Sequence, residues 1–594
     1  MEKIPRKKVV VIGAGAGGIA TAARLAKAGL SVTVLEKNSF TGGRCSLITH
    51  DGHRFDQGPS LLLLPKLFRA AFFDLDTTLE AEGVELLRCP TNYNVWFADG
   101  ENFELTTDLA RMKTQIERWE GKDGFARYLS WLKEAHAHYE LSVARVLNRN
   151  FTSIWQLAAP HFVLTGLKLH PLHTIWNRAR KYFWSERLRR VFTFATMYMG
   201  MSPFDAPSTY SLLQYTELAE GIWYPRGGFQ TVLAALQRVG ERLGVRYRLD
   251  TPVRRILTHL DGRTARGVEL ESGEVVEADV VVVNADLVYA YSNLFPVTRP
   301  RAERYAASLR RRHGSCSSIS FYWSLDRRVP ELQTHNIFLA DEYRESFDAI
   351  FDRQALPDEP SFYVNVPSRI DPSAAPAGRD SVIALVPVGH LQSSRGFGAA
   401  TAAAATDGEG GVAREQDWGA AVSRARRAVL STIEARTGCA PLGPSIAHEA
   451  VNDPAAWEAK FNLDKGSILG LSHSFFNVLA FRPRTRAEGF RNAYFVGAST
   501  HPGTGVPIVL AGARITAEQI LDDAGVTVPW RGRPSPIRDQ GTPQTSATAT
   551  IDRIRAPFWG LSSLAVITTI LGLVLCLWAR YCGFLSGQRT RIEL

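Results

Sequence analysis

Residues 9–12, VVVI, form a short apolar run that breaks at once into GAGAGG at 13–18. An apolar run bounded by glycine reads as a buried strand. Over 19–28 the pattern turns helical, with Ile19, Ala22, Ala23 and Ala26 on one face, and Gly29 ends it. Residues 31–35 alternate and are β-branched, a second strand, and Glu36 stands at its end. Much later, residues 493–496 read as a strand, 497–506 as a glycine-rich turn and 507–521 as a helix, with Pro507 in a tolerated first-turn position. Between them, 221–244 reads as a turn and helix opened by Pro225, Gly227 and Gly228, and 245–249, 251–257, 267–271, 275–277 and 279–283 as short strands. The pattern changes again near the end. Residues 556–579 carry no charge, with Trp559 and Trp578 near the two ends. At 1.5 Å per residue such a stretch makes about 36 Å of helix, enough for a hydrocarbon core of about 30 Å. It follows 531–550, a Pro/Ser/Thr/Gly/Gln-rich stretch. The expectation is a flexible linker over 526–555 and a transmembrane helix over 556–580. Arginines balance on its two sides, so charge assigns no orientation. Residues 1–8 show no secretory pattern, which places the catalytic body on the cytoplasmic side.

Composition narrows the class. With 45% apolar and 22% charged residues, the 594-residue chain is neither wholly disordered nor collagen-like. Six cysteines exclude a disulfide-built scaffold, and neither they nor His136, His138, His161, His170 and His173 show metal-ligand spacing, so no metal site is read. The net charge of +10 is a mild bias that suits an anionic cofactor or an anionic membrane surface as well as nucleic acid. No basic-aromatic repeat points to nucleic acid, and no G-x-S-x-G to a serine nucleophile.

Three glycine-rich segments carry candidate chemistry. In the first, Gly13 permits the tight turn, Gly15 lets backbone N–H groups approach a pyrophosphate, and Gly18 lets helix pack on strand. The helix N-terminus favours the diphosphate charge, and Glu36 can accept from ribose hydroxyls. In the second, Gly42 and Gly43 allow another close approach and Arg44 offers a fork for phosphate, while Gly58, Pro59 and Ser60 form a turn. In the third, Gly497, Thr500, Gly503, Gly505 and Val506 aim a helix N-terminus at a ligand. A positive helix end there would suit a flavin ring, which gains negative charge on reduction. The fingerprint alone does not choose between FAD and NAD. The segments 70–215 and 290–490 are rich in aromatics and methionine, among them Phe192, Phe194, Met197, Tyr198, Met199, Met201, Tyr210 and Tyr215. Core and apolar tunnel share that composition.

Taken together, these motifs resemble the carotenoid desaturases of the phytoene desaturase type, within the FAD-dependent amine oxidase and carotenoid oxidoreductase group. The resemblance covers most of residues 8–522. Its most specific part is NAYFVGASTHPGTGV at 492–506, closed by Gly512. RFDQGPS at 54–60, YPRGG at 224–228, Asn284-Ala285-Asp286 and Phe481-Arg482-Pro483 support it. The C-terminal span is similar to fungal members. The resemblance implies an α/β fold with a Rossmann-like, glutathione-reductase-like FAD-binding domain assembled from 1–70, 216–290 and 490–525. It implies a discontinuous α+β substrate and membrane-facing domain from 71–215 and 291–489. It also implies FAD, an apolar polyene delivered from lipid, and desaturation of 15-cis-phytoene to carotenes such as lycopene or 3,4-didehydrolycopene by hydride transfer and proton loss. A fungal member would sit in the endoplasmic reticulum. NAD, a quinone or oxygen stay open as electron acceptor, as do the product and the oligomeric state. Two departures limit the carry-over. Residues 396–411 form a low-complexity insert read as a loop, and 151–160, FTSIWQLAAP, lacks the acidic and basic residues that some relatives show there. No catalytic acid or base is therefore assigned. Two other readings are a flavin oxidase of the same group acting on an amine or porphyrinogen, and a non-catalytic membrane-tethered flavoprotein.

Overall fold

The computed structural model describes residues 6–158, 162, 166, 168–295, 300–392 and 416–533. Its organising element is a parallel sheet. Strands β1 (Lys8–Ile12) and β2 (Ser31–Leu35) pair in parallel, as the opening pattern predicts. They are joined by β3 (Arg246–Arg248), β4 (Val280–Val283) and β5 (Ala493–Phe495) in the order β5-β4-β1-β2-β3. Every pairing in this sheet is parallel, so all five carboxyl ends open on one edge. That edge is where an open α/β sheet accommodates a ligand.

Helix α1 (Ala16–Lys27) begins three residues before its periodicity suggests, because Gly17 and Gly18 form its first turn. A side chain at Gly18 would put Cβ 2.1 Å from the Gly13 carbonyl oxygen, so only glycine lets the helix start so close to its strand. The expected one-sided face is also an understatement. Helix α1 is buried from Gly17 to Ala26, since α2 (Gln230–Arg242) and α3 (Val506–Asp523) both pack on it. Small side chains make this sandwich feasible: a Cβ at Gly240 would lie only 3.5 Å from that of Ala23. The apolar core around this sheet takes in Phe68, Phe72, Leu75, Leu79 and Val84, running past residue 70. Each fully buried Val, Leu or Phe stabilises the fold by about 1.5–3 kcal/mol.

A second, seven-stranded sheet carries the other side of the molecule. Its order is Ile446–Asn452, Ser317–Leu325, Asp380–Val388, Phe362–Asn365, His335–Phe338, Tyr93–Trp96, Asn102–Leu105. Only His335–Phe338 with Tyr93–Trp96 is parallel. Helices Leu109–Glu120 and Lys122–Ser142 pack with it in an aromatic core. The strands expected over 251–257, 267–271 and 275–277 form a small antiparallel sheet, at Val253–Thr258, Ala265–Leu270 and Val275–Glu277.

Residues 526–533 do not open a linker. Trp530 is 1% exposed and its indole N–H donates to Glu518, while Arg531 pairs with Asp522 and Arg533 with Asp76. A buried indole with a hydrogen-bond partner outweighs the polar composition around it. Among the described residues no helix is long and apolar enough to cross a membrane. The 556–580 span, the rest of the linker and the 396–411 insert lie outside the described residues.

One buried ion pair ties α1 to the segment after it. The Arg24 guanidinium donates to Asp74 at 2.9 Å and to the Ala20 carbonyl at 3.1 Å, with both charged side chains at most 2% exposed. Burial lowers the Arg24 pKa from its ordinary value, against the opposing pull of Asp74. Asp74→Ala leaves that cation buried without its counter-charge and should cost about 3–5 kcal/mol. Chemical denaturation of the two proteins checks this, and a loss below about 1 kcal/mol would contradict it.

Candidate cofactor and substrate site

A single cavity of about 1220 Å³ opens along the carboxyl edge of the parallel sheet. Most ligand pockets hold about 300–1,000 Å³, so this one is larger than a small ligand needs. It brings together Gly13, Gly15, Glu36, Gly43, Arg44, Gly58, Pro59, Ser60, Gly497, Thr500, Gly505 and Val506 on its wall. Gly18 and Gly503 are not on that wall. They act one layer behind, where a Cβ at Gly18 would strike the Gly13 carbonyl and one at Gly503 would lie 2.3 Å from His473 Nε2.

The glycine loop is built by close backbone contact. Gly13 has φ +97° and donates its N–H to Leu35 O at 2.8 Å. Gly42 donates to Ala14 O at 2.8 Å, which draws the second glycine segment onto the first. A Cβ at Gly15 would lie 2.8 Å from Asn284 Oδ1. Asn284 donates to the Val496 carbonyl at 2.8 Å, so it braces β4 against the turn after β5, and its own Oδ1 is buried without a partner among the described residues. Helix α1 then opens at Gly15 with no side-chain cap and no acid in its first turn. Its first N–H groups thus present unopposed partial positive charge. Glu36 is 6% exposed. One oxygen accepts from the Ala14 N–H at 2.7 Å and the other from Asn38 N and Nδ2 at 3.0 Å, so it holds the loop as well as facing the cavity. Arg44 reaches the cavity without an ion pair within 4.0 Å among the described residues. Burial pulls its pKa down from the ordinary value, partly offset by nearby Cys45 and Asp286.

At the other end α3 begins at Gly505, φ +94°, again without a side-chain cap. The turn before it is held by Arg482, a residue that sequence reading met only inside a motif. Its fully buried guanidinium donates to the carbonyls of Leu471, Ser472, Asn477, Ala498 and Thr500. Burial lowers it to about 10, still a cation at neutral pH. Carbonyl dipoles, not a carboxylate, balance that charge. His473 lies beside it, and its Nε2 accepts from the Thr504 N–H at 3.1 Å. Burial holds this imidazole neutral, so its ring proton sits on Nδ1.

The remaining wall is apolar. The aromatic and methionine residues divide: Phe192, Phe194 and Met201 belong to the core, whereas Met197, Tyr198, Met199 and Tyr210 line the cavity. Tyr215 is off the cavity wall and packs on the edge of that core, against the rings of His136 and Tyr139. The histidines are less scattered than their spacing suggests. His138, His170 and His173 form a chain of ring contacts at 6.0 and 6.2 Å. His138 is committed to Ser211 and the Lys168 carbonyl, and burial pushes its pKa to about 4. Among the described residues no group of His, Cys, Asp and Glu could hold a metal ion, and His161 lies outside them.

Two uncapped helix ends, an unpaired arginine, an acid at the strand end and an orphaned asparagine oxygen form a donor and acceptor set that fits a dinucleotide such as FAD. Behind the cavity wall lies a buried acid, Glu217, accepting from Tyr93 Oη and Gln214 Nε2 at 3.1 Å each. Burial pushes its pKa to about 8, against an ordinary value of 4.5. The folded protein therefore holds this proton where the unfolded chain has lost it. Its stabilising effect is full below pH 4.5 and is lost as pH rises through about 8. The loss is on the order of 5 kcal/mol. Glu217→Gln should remove this slope. Denaturation midpoints of both proteins at acid and alkaline pH check it, and parallel pH profiles would contradict it.

Comparison with known proteins agrees with this geometry. A family model for flavin-containing amine oxidoreductases matches residues 16–391. A phytoene desaturase of Neurospora crassa is 64% identical over 533 residues, covering 88% of this chain and 87% of its own length. A phytoene desaturase of Cercospora nicotianae is 55% identical over 625 residues, covering 97% of this chain and 99% of its own. Among solved structures, an oxidoreductase from Methanosarcina mazei superposes with a TM-score of 0.55 at 17% identity, over 86% of this chain and all of that one, a likeness of fold. The chain therefore belongs to the flavin-containing amine oxidoreductases and, within them, to the carotenoid desaturases of the phytoene desaturase type.

Proposed function

We propose that the protein desaturates phytoene with FAD and that its cavity holds cofactor and polyene together. The observation that carries this reading is the union, in one cavity, of a dinucleotide cradle with a largely apolar arm. Glu36 would hold the ribose hydroxyls, and the α1 N-terminus with Gly13, Gly15, Gly43 and Arg44 the diphosphate. Gly58, Pro59 and Ser60 on one side, with Gly497, Thr500, Gly505 and Val506 on the other, would flank the ring system, and Gly18 and Gly503 would support these segments from behind. Bound there, FAD supplies the acceptor for the hydride that leaves an allylic carbon. The chain's own residues do the rest. The α3 end would set partial positive charge beside a ring bound there, where it gains electrons. Met197, Met199 and their neighbours bind a hydrocarbon that offers no hydrogen-bonding handle, by burial at roughly 25 cal/mol per Å². Cavity length and shape then choose the bond, and stepwise turnover leads to lycopene or 3,4-didehydrolycopene. We assign reoxidation to a quinone or oxygen, because the single dinucleotide fingerprint is taken up by FAD and leaves none for NAD.

The same reading places the protein on a membrane, with a 556–580 anchor and the catalytic body toward the cytoplasm, in the endoplasmic reticulum of a fungal cell. A surface feature supports it. Ile154, Trp155, Leu172 and Phe476 are large, apolar and exposed, Trp155 at 80%. Leu172 is itself on the cavity wall, Ile154, Trp155 and Phe476 lie beside Leu157 and Phe475 of that wall in the chain, and exposed Lys168, Arg180 and Lys181 lie in the same part of the chain as Leu172. An apolar patch with basic neighbours suits an interface of anionic headgroups over hydrocarbon.

Cells that make phytoene should accumulate coloured polyenes when this protein is added, and chromatography of their pigments gives the step count. Colourless extracts from cells containing the folded flavoprotein would refute the function. Glu36→Ala should purify without bound flavin, and full flavin absorbance in the variant would remove the ribose assignment. Deletion of residues 551–594 should weaken membrane attachment, and adding Trp155→Glu should complete release. Undiminished sedimentation of the doubly altered protein with membranes would contradict both contacts.

A further inference from the structure

Desaturation, the proposed function on which this inference rests, removes a hydride and a proton, and the cofactor accounts for the hydride alone. Once hydride has left, the substrate carbon is cationic and the C–H beside it is strongly acidic, so a weak neutral base suffices. The wall must offer a lone pair and a route onward for the proton. Segment 151–160 offers no ionisable side chain. His473 does not serve, because its acceptor nitrogen faces only the fixed Thr504 N–H, and among the described residues no hydroxyl that could hand it a proton lies within hydrogen-bond distance of that nitrogen.

One wall of the cavity carries a directed chain of hydrogen bonds. Ser60 and Tyr363 both line the cavity, with Ser60 Oγ 2.7 Å from Tyr363 Oη. Behind them Tyr363 Oη lies 2.7 Å from Nδ1 of His335, which is 1% exposed. The direction follows from Asn365. Its Nδ2 faces the Thr334 carbonyl at 2.9 Å, and only an N–H can pair with a carbonyl. The same amide nitrogen lies 3.2 Å from His335 Nδ1, where two N–H groups would repel, so Nδ1 carries the lone pair, and the Tyr363 hydroxyl at 2.7 Å is the closer of the two donors that share it. The ring proton of His335 sits on Nε2, facing Cys89 Sγ at 3.5 Å. Tyr363 must then donate to His335 and Ser60 to Tyr363. Both hydroxyl protons point away from the cavity, and an oxygen lone pair of Ser60 is left for a ligand.

We propose that Ser60, Tyr363 and His335 form a relay that takes the substrate proton out of the cavity. The electron pair of the breaking C–H bond becomes the second bond of the new C=C. The proton joins Ser60 Oγ, the Ser60 proton passes to Tyr363 Oη, and the Tyr363 proton passes to His335 Nδ1. One C–H bond is exchanged for one N–H bond, and the positive charge moves from the substrate to His335. Burial alone pushes the His335 pKa down to about 3. The imidazolium is still a far weaker acid than a carbocation, yet it does not keep the proton. It returns the proton along the same path when product leaves and water reaches Ser60.

The test uses purified holoenzyme with phytoene in lipid vesicles. Tyr363→Phe keeps the ring and breaks the chain. It should lower kcat about a hundredfold, the small end of proton-transfer effects, while KM and flavin content stay within about twofold. Wild type should show a solvent deuterium isotope effect on kcat that Tyr363→Phe and Ser60→Ala abolish, a readout that loss of packing alone would not move. Tyr322→Phe, a buried tyrosine whose hydroxyl donates to the Gln57 carbonyl, is the control and should retain both. If Tyr363→Phe fails to fold, Ser60→Ala decides. A variant with wild-type kcat and an unchanged isotope effect overturns the relay. A wild-type enzyme that makes no coloured polyene overturns the function instead, and the wild-type pigment result tells the two failures apart.

Discussion

The structure depends on close backbone approach at one edge of a parallel sheet. Helices α1 and α3 both start there without side-chain caps, so their N–H groups face the same cavity. This is feasible because the segments meet over glycine: Gly18 against the Gly13 carbonyl, Gly15 against Asn284, Gly503 against His473. A single methyl group at any of these would have to displace backbone or a buried side chain. The chemistry of the edge therefore rests first on the absence of atoms.

Charge is handled by dipoles as much as by counter-ions. Arg482 is buried against carbonyls and spends its donors on the turn that aims α3. Arg24, by contrast, has a carboxylate partner and serves packing. Arg44 has neither arrangement, and an anionic ligand would complete it. Uncompensated cations and helix ends are costly to keep, and they are found here where an anion is expected.

The apolar arm poses the opposite problem. A hydrocarbon cannot be read by hydrogen bonds, so the walls can only exclude, enclose and align it. The few polar groups at those walls are mostly committed to protein partners, as Tyr210 is to the His473 carbonyl. Tyr363 differs, since its bonds lead from the cavity to a buried neutral imidazole.

Legibility from the chain follows the range of the interactions. The β1-turn-α1-β2 unit and the turn before α3 are local, and glycine, β-branching and strand-end acid mark them without ambiguity. The strand Ser317–Leu325 also carries a local signal, strict alternation of Ile319, Phe321, Trp323 and Leu325 with small or hydroxylated residues. That signal is masked because both faces are covered and its hydroxyls are buried, which removes the usual polar side. The Ser60–Tyr363–His335 chain has no local signal, since Tyr363 and His335 meet through the register of their paired strands and Ser60 reaches them from a loop far away in sequence. The same holds for the division of the methionine and tyrosine residues between core and cavity. The sequence by itself thus determined the cofactor cradle, where steric and dipolar demands act over a few residues. Tertiary structure alone decided the substrate walls and the polar path behind them, because burial and pairing across distant strands depend on what the rest of the chain brings alongside.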